Sequence, residues 1–191
     1  MTAQDNRLKA RELLIGNYGL GFGVVFLGIL IPSLCNSIPV LGTIASLILG
    51  GPLAYGMASV FIKLSRKEPV RFEEMFIGFN LFGKTLAAYL MMVLYVVLWS
   101  LLLIIPGIIA ALGYSMTFYI MLENPDMPPA EALRKSKAMM MGHKGRLFSL
   151  YFSYIGWILL SFLTLGILFI WVLPRIYISG AIFYNELKAR G

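Results

Sequence analysis

Charge is scarce in this 191-residue chain. Asp, Glu, Lys and Arg make up 13% of it, about half the roughly 25% of an ordinary globular domain. A water-soluble fold of this length would have too few charges to cover its surface, which excludes a soluble enzyme or binding module. Acid is scarcer than base, with nine Asp and Glu against 16 Lys and Arg. No carboxylate falls inside an apolar run; Glu123 and Glu186 stand at run ends. Proton- or sodium-coupled carriers need a buried carboxylate or an unwound carbonyl cage, so this lack argues against a proton-driven pump. Cys35 is the only cysteine, so no intrachain disulfide can form and the redox compartment is not encoded. His143 is the only histidine. Without a second histidine, a cysteine pair or an H-E-x-x-H motif, a metal site lacks ligands. A Ser–His–acid set would have to use His143 with Glu131 or Asp126, beside Lys144 and Arg146, where solvation and lipid contact are the simpler roles. The expectation is a non-enzymatic protein with no cofactor and no metal. Basic patches interleaved with aromatics are absent outside the apolar runs, so no nucleic-acid partner is expected.

Apolar residues are what the chain has instead: 59% of the sequence, with a mean hydropathy of +0.82. Disorder is excluded by that content, and the length fits a single domain over 1–191. The apolar runs cover 13–34, 38–62, 85–122 and 147–187. The first is too long for a signal-peptide core and no A-x-A site follows it, so it reads as a retained span. Asn36 and Ser37, between Pro32 and Pro39, make the turn into the second. The third run is too long for one crossing, because a straight helix over it would reach about 57 Å against a hydrocarbon core of about 30 Å. Pro106-Gly107 is its strong breaker, giving spans 85–105 and 107–122. The fourth run divides at Thr164-Leu165-Gly166 into 147–163 and 167–187. Between the runs, Asp5 or Asn6 is placed to cap a short N-terminal helix. Phe72, Met75, Phe76, Phe79 and Phe82 recur at helical spacing, predicting an amphipathic interfacial helix over 71–82. Pro128 and Pro129 start another, with Ala130, Leu133, Met140 and Met141 as a modest apolar face.

The predicted fold is all-α: a polytopic membrane bundle of six transmembrane helices arranged as three hairpins, with interfacial amphipathic helices. The alternative is five spans, the last over 147–173 with Arg175 outside it. In the six-span reading every Lys and Arg except Arg175 falls on one face, and the opposite turns carry no charge. That bias predicts a multi-pass protein of the plasma membrane with both termini in the cytoplasm, meeting anionic lipid at the cytoplasmic face. Glu12-Leu13-Leu14-Ile15-Gly16 matches Glu74-Met75-Phe76-Ile77-Gly78 and, more loosely, Ala138-Met139-Met140-Met141-Gly142. Tyr55, Tyr114 and Tyr177 lie at similar distances downstream of those glycines. Three repeats over 1–65, 66–125 and 126–191 would each hold an interfacial helix, a glycine break and two spans.

From Ile104 onward the pattern resembles a known family. Its marks are Ile104-Ile105-Pro106-Gly107-Ile108-Ile109-Ala110, Tyr114-Ser115-Met116, Asn124-Pro125, Glu131-Ala132, Ser136-Lys137, Gly142-His143-Lys144, Leu147-Phe148-Ser149-Leu150, Trp157 and Phe183-Tyr184. The chain is similar to the small bacterial membrane proteins of domain-of-unknown-function family 975. The resemblance implies a multi-pass protein, of a kind found mainly in Gram-positive bacteria, and supplies no functional residue. Two positions depart from the pattern: Glu123 stands where Asp is expected, and Arg175 where an aromatic is expected.

Arg175 is the one charge inside a predicted span. Burying it costs from roughly 3 kcal/mol to well over 10, so it is an anion or lipid-headgroup site, or it snorkels along Tyr177 towards an interface, or it lies outside the span. Tyr55, Tyr114, Ser115, Thr117, Tyr177 and Arg175 are the polar mid-span residues that could line a ligand cavity. Gly19 and Gly23 form a G-x-x-x-G spacing, repeated in small residues by Ala54 and Ala58, which suits close packing in the bundle or homodimerisation. Met91, Met92 and Met139–Met141 fill an interface or form an adaptable surface. The leading function is a membrane-embedded protein that binds or moves a lipid or small amphiphile. The competing one is a structural scaffold or accessory subunit of a membrane transporter or envelope complex, with a membrane-protein partner or a homo-oligomer.

Overall fold

The computed structural model describes residues 2–35, 41–164 and 166–190. The expected turn at Asn36 and Ser37, and Leu165 of the second turn, lie outside the described residues. The chain begins with α1 (Ala3–Leu14), capped by Thr2. Thr2 Oγ1 accepts from the Asp5 amide while the Asp5 carboxylate accepts from the Thr2 amide. This reciprocal box replaces the Asp5 or Asn6 cap expected from sequence. Asn6 instead lies in the buried stripe Asn6, Ala10 and Leu14, spaced every fourth residue to face one neighbour.

Gly16 breaks the helix with φ +84, a left-handed conformation that favours glycine. Next come α2 (Tyr18–Cys35) and α3 (Leu41–Ser65). The stretch predicted as an amphipathic α-helix is a 3-10 helix over Phe72–Phe79. With three residues per turn, Met75 and Gly78 align on one edge and are buried. That edge meets α3 backbone to backbone. A Cβ on Gly56 would fall on the Met75 carbonyl, and one on Gly78 on the Pro52 carbonyl.

The third run folds as α4 (Phe82–Leu102), α5 (Ile104–Tyr114) and α6 (Thr117–Glu123). The predicted break at Pro106 is corrected: the chain turns at Leu103, extended at φ −164 and ψ 149, and Pro106 sits in the first turn of α5. A proline there has no intrahelical N–H bond to lose, so it starts the helix rather than ending it. Gly107 lets Ser100 of α4 approach the α5 backbone.

Next are α7 (Pro129–Met139), α8 (Lys144–Phe152), α9 (Ile155–Leu163) and α10 (Phe169–Lys188). Gly142 and Gly166 turn with φ +74 and +88. The buried face of α7 is Ala132, Leu133 and Ser136, followed by Met140; the expected Ala130 and Met141 are exposed.

The described residues are all-helical. They contain five helical segments long and apolar enough to cross a membrane: Tyr18–Cys35, Leu41–Ser65, Phe82–Leu102, Ile104–Glu123 and Lys144–Leu163. The α10 helix, which carries Arg175, Asn185, Glu186 and Lys188, is not among the five. It is instead among the most buried elements, with Val172, Pro174, Ile178 to Tyr184 and Leu187 inside. It packs on α1, α2 and α3.

Candidate functional site

The six polar residues expected to share a cavity do not share one. Tyr55 is buried on α3 and meets Phe118 edge-on at 6.1 Å. Ser115 Oγ donates to the Leu112 carbonyl, and Thr117 Oγ1 to the Tyr114 carbonyl, each at 2.7 Å. Both hydroxyls thus serve the kink between α5 and α6. Tyr177 stacks on Phe61 at 5.5 Å, so it is not the escort of Arg175. Tyr114 stacks on Tyr95 and borders a different cleft from the one that Arg175 lines.

Arg175 has different company. The Pro174 ring packs beside Leu14 and Gly21, bringing the start of α2 against α10. The Arg175 Nε then donates to the Tyr18 hydroxyl at 3.1 Å, and its guanidinium carbon lies 5.6 Å from the Tyr18 ring centroid. The stripe of α1 packs along α10, with Asn6 Nδ2 donating to the Ser179 carbonyl at 3.3 Å. This docking turns the flank of α1, one residue beyond the stripe, towards Arg175. Arg7 and Arg11 are on that flank. The break between α8 and α9 frees the Ser153 carbonyl, which accepts from Arg7 Nη1 at 3.1 Å. Tyr154 shares a 2.8 Å hydrogen bond with Ser179 Oγ.

Between these elements lies a pocket of about 240 Å³, bordered by Gln4, Arg7, Leu8, Arg11, Tyr154, Trp157, Val172 and Arg175. Among the described residues, no carboxylate lies within ion-pair distance of Arg7, Arg11 or Arg175. Three guanidinium groups, planar forks matched to phosphate and carboxylate, thus face a concave, partly apolar space. The sequence carries a signal for this: Arg7 and Arg11 are four apart, on one helix face, next to the predicted interface.

A second polar cluster was also missed. Glu123, at the end of α6, accepts from Arg66 beyond α3, from Lys188 at 2.9 Å and from the Tyr184 hydroxyl at 2.8 Å. Arg66 also donates to Asn185 Oδ1 at 3.1 Å, and Asn185 Nδ2 to Ser65 Oγ at 2.7 Å. The cluster joins the ends of α3, α6 and α10. His143 contacts neither Glu131 nor Asp126 by hydrogen bond, and its Nδ1 is buried without a partner. Among the described residues, no three His, Cys, Asp or Glu side chains gather where a metal could bind.

A family model described as "Protein of unknown function (DUF975)" matches residues 1–112 and 101–191. The two matches together run the length of the chain, which therefore belongs to that family. No curated protein and no solved structure matches the chain.

Proposed function

We propose that this DUF975 member is a multi-pass membrane protein whose α1 pocket holds the anionic headgroup of a lipid. The observation that carries the reading is the convergence of Arg7, Arg11 and Arg175 on one pocket, with no carboxylate among the described residues at ion-pair distance. Guanidinium groups suit a phosphodiester because they donate in pairs to its oxygens. Leu8, Trp157 and Val172 give the same pocket an apolar wall against which the glycerol and first methylenes would rest. Side chains such as Phe61, Tyr177 and Ile178 fill the centre of the bundle, which supports holding a headgroup over passing it through.

The membrane placement belongs to the same proposal. The five apolar segments cross the bilayer, and α10, about 30 Å long at about 1.5 Å per residue, makes a sixth crossing. In this placement α10 pairs with the α8–α9 segment, as α2 pairs with α3 and α4 with α5–α6. The crossings join at uncharged corners, and the cationic ends, including both termini, lie at the cytoplasmic leaflet. Arg175 extends towards that leaflet past Tyr18, where α1 leads into α2.

The test is lipid-dependent stability of delipidated protein in neutral detergent. Phosphatidylglycerol should raise the melting temperature saturably, and phosphatidylcholine should not. Arg175→Gln, and separately Arg7→Gln with Arg11→Gln, should each remove the difference between the two lipids. A shift equal for both lipids, or one unchanged by these substitutions, would reject the pocket. A reporter fused to the carboxyl end and found outside the cell would reject the topology.

A further inference from the structure

On a different flank, one face of α5 presents Pro106, Ile109, Ala110 and Gly113, spaced three and four apart. The two small residues leave a hollow, which Trp99 of α4 walls on one side. The resulting cleft has a volume of about 310 Å³, at the lower end of the roughly 300–1,000 Å³ of small-molecule sites. Its floor from Pro106 to Tyr114 extends about 12 Å at about 1.5 Å per residue. One end is not apolar. Lys137, in the last turn of α7, and Lys144, the first residue of α8, stand over the Gly113 end. Lys144 Nζ would lie 3.5 Å from a Cβ on Gly113, which places the ammonium in contact range of the cleft floor. Among the described residues, neither lysine has a carboxylate within ion-pair distance.

We infer that this cleft is a second site, for a single-chain carboxylate amphiphile of the fatty-acid type. Its hydrocarbon chain lies along α5 against Trp99, and its carboxylate sits between Lys137 and Lys144. Volume and charge both favour this occupant. A hollow floored by Ala110 and Gly113 accommodates one chain, whereas a two-chain lipid would have to leave one outside. Two ammonium groups supply the positive charge that holds a single carboxylate at the end of the chain. The inference rests on the membrane placement proposed above but not on the arginine pocket.

Tryptophan quenching tests it directly. The sequence has three tryptophans, and Trp157→Phe with Trp171→Phe leaves Trp99 as the sole reporter. Terminally brominated dodecanoate, added to this protein in neutral detergent, should quench Trp99 saturably. Bromododecanol, of the same length but uncharged, should require about tenfold more for half-saturation, as loss of about 1.4 kcal/mol would produce. Lys137→Gln with Lys144→Gln should erase the difference between acid and alcohol, and the paired Lys→Arg variant should restore it. Ala110→Phe keeps both charges and fills the hollow, so it should abolish saturable quenching by either probe. Arg175→Gln should leave the Trp99 signal unchanged, which separates failure of this site from failure of the arginine pocket. Equal quenching by acid and alcohol in the unsubstituted cleft, or saturable quenching that persists in Ala110→Phe, would overturn the assignment.

Discussion

The two ends of this bundle are built on different terms. At the end carrying α1, the 3-10 helix, α6 and α7, segments distant in sequence bury one another. Met75 is sealed against Gly56, Asn6 reaches Ser179, and Glu123 joins three helices. At the opposite end, Leu101, Leu102, Leu103, Ile104 and Leu163 are each at least two-thirds exposed. The contrast also divides single helices. In α3, Gly51 to Leu64 is almost entirely buried, while Leu41, Ile44 and Ile48 are exposed. In water the exposed end would be an aggregation surface. In hydrocarbon it costs nothing, because lipid tails solvate leucine as well as another leucine does. Specific packing is therefore concentrated at the end carrying α1, and the apolar end needs little beyond hydrophobicity and helix formation.

Substitutions of glycine give the sharpest test of that division. Gly56→Ala places a methyl group on the Met75 carbonyl, against backbone that cannot rotate away. Overpacking of this kind costs about 3 kcal/mol or more, and the variant should lose most of its folded yield in detergent. Gly19→Ala, at the start of α2 with nothing within 4 Å of the added carbon, should be neutral or stabilising by up to about 1 kcal/mol. Equal effects at the two glycines, measured by thermal melting, would erase the distinction between the ends.

Glu123 comes next in size. Glu123→Ala leaves the buried Tyr184 hydroxyl without its acceptor and Arg66 and Lys188 without their shared anion. The expected loss is about 2 kcal/mol, with a melting temperature less sensitive to added salt than that of the parent protein. By contrast, Leu101→Ala at the exposed apolar end should change folding stability by less than about 0.5 kcal/mol. A larger loss at Leu101 than at Glu123 would show that the apolar end is itself a specific interface.

The same division explains what could be read in the sequence. Apolar runs, the Gly166 turn and helical segments between the runs were legible because hydrophobicity and chain-breaking chemistry act locally. Pro106 misled because proline disfavours a helix interior but suits a first turn, and only the position of Leu103 decides which applies. The 3-10 geometry of Phe72–Phe79 arises from the close approach to Pro52 and Gly56, a tertiary contact with no local signal. Sequence position groups the mid-span polar residues by depth alone. Depth says nothing of rotation about the helix axis, so Tyr55 and Tyr177 face aromatic neighbours while Arg175 meets Tyr18. The arginine pocket requires α1 to pack along α10, across nearly the whole chain, and periodicity cannot reveal that pairing.

The smallest expected effect lies at the solvent-exposed cap of α1. Asp5 accepts from the Thr2 amide, its main influence, and interacts with the Thr2 hydroxyl, and these bonds hold its carboxyl below the ordinary aspartate value. A depressed folded-state value contributes stability that is fully present above the unfolded value, about 3.9, and is lost as pH falls through the lower folded one. Asp5 is fully exposed, so the loss should be local. Amide exchange in the first turn of α1, corrected for the intrinsic rate, should quicken as pH falls below about 4 while the α10 amides stay protected. Asp5→Asn should be insensitive over that range. If α1 and α10 instead loosened together on acidification, α1 would not be a separately capped element docked on α10, and the arginine pocket would have to be understood as part of one cooperative unit.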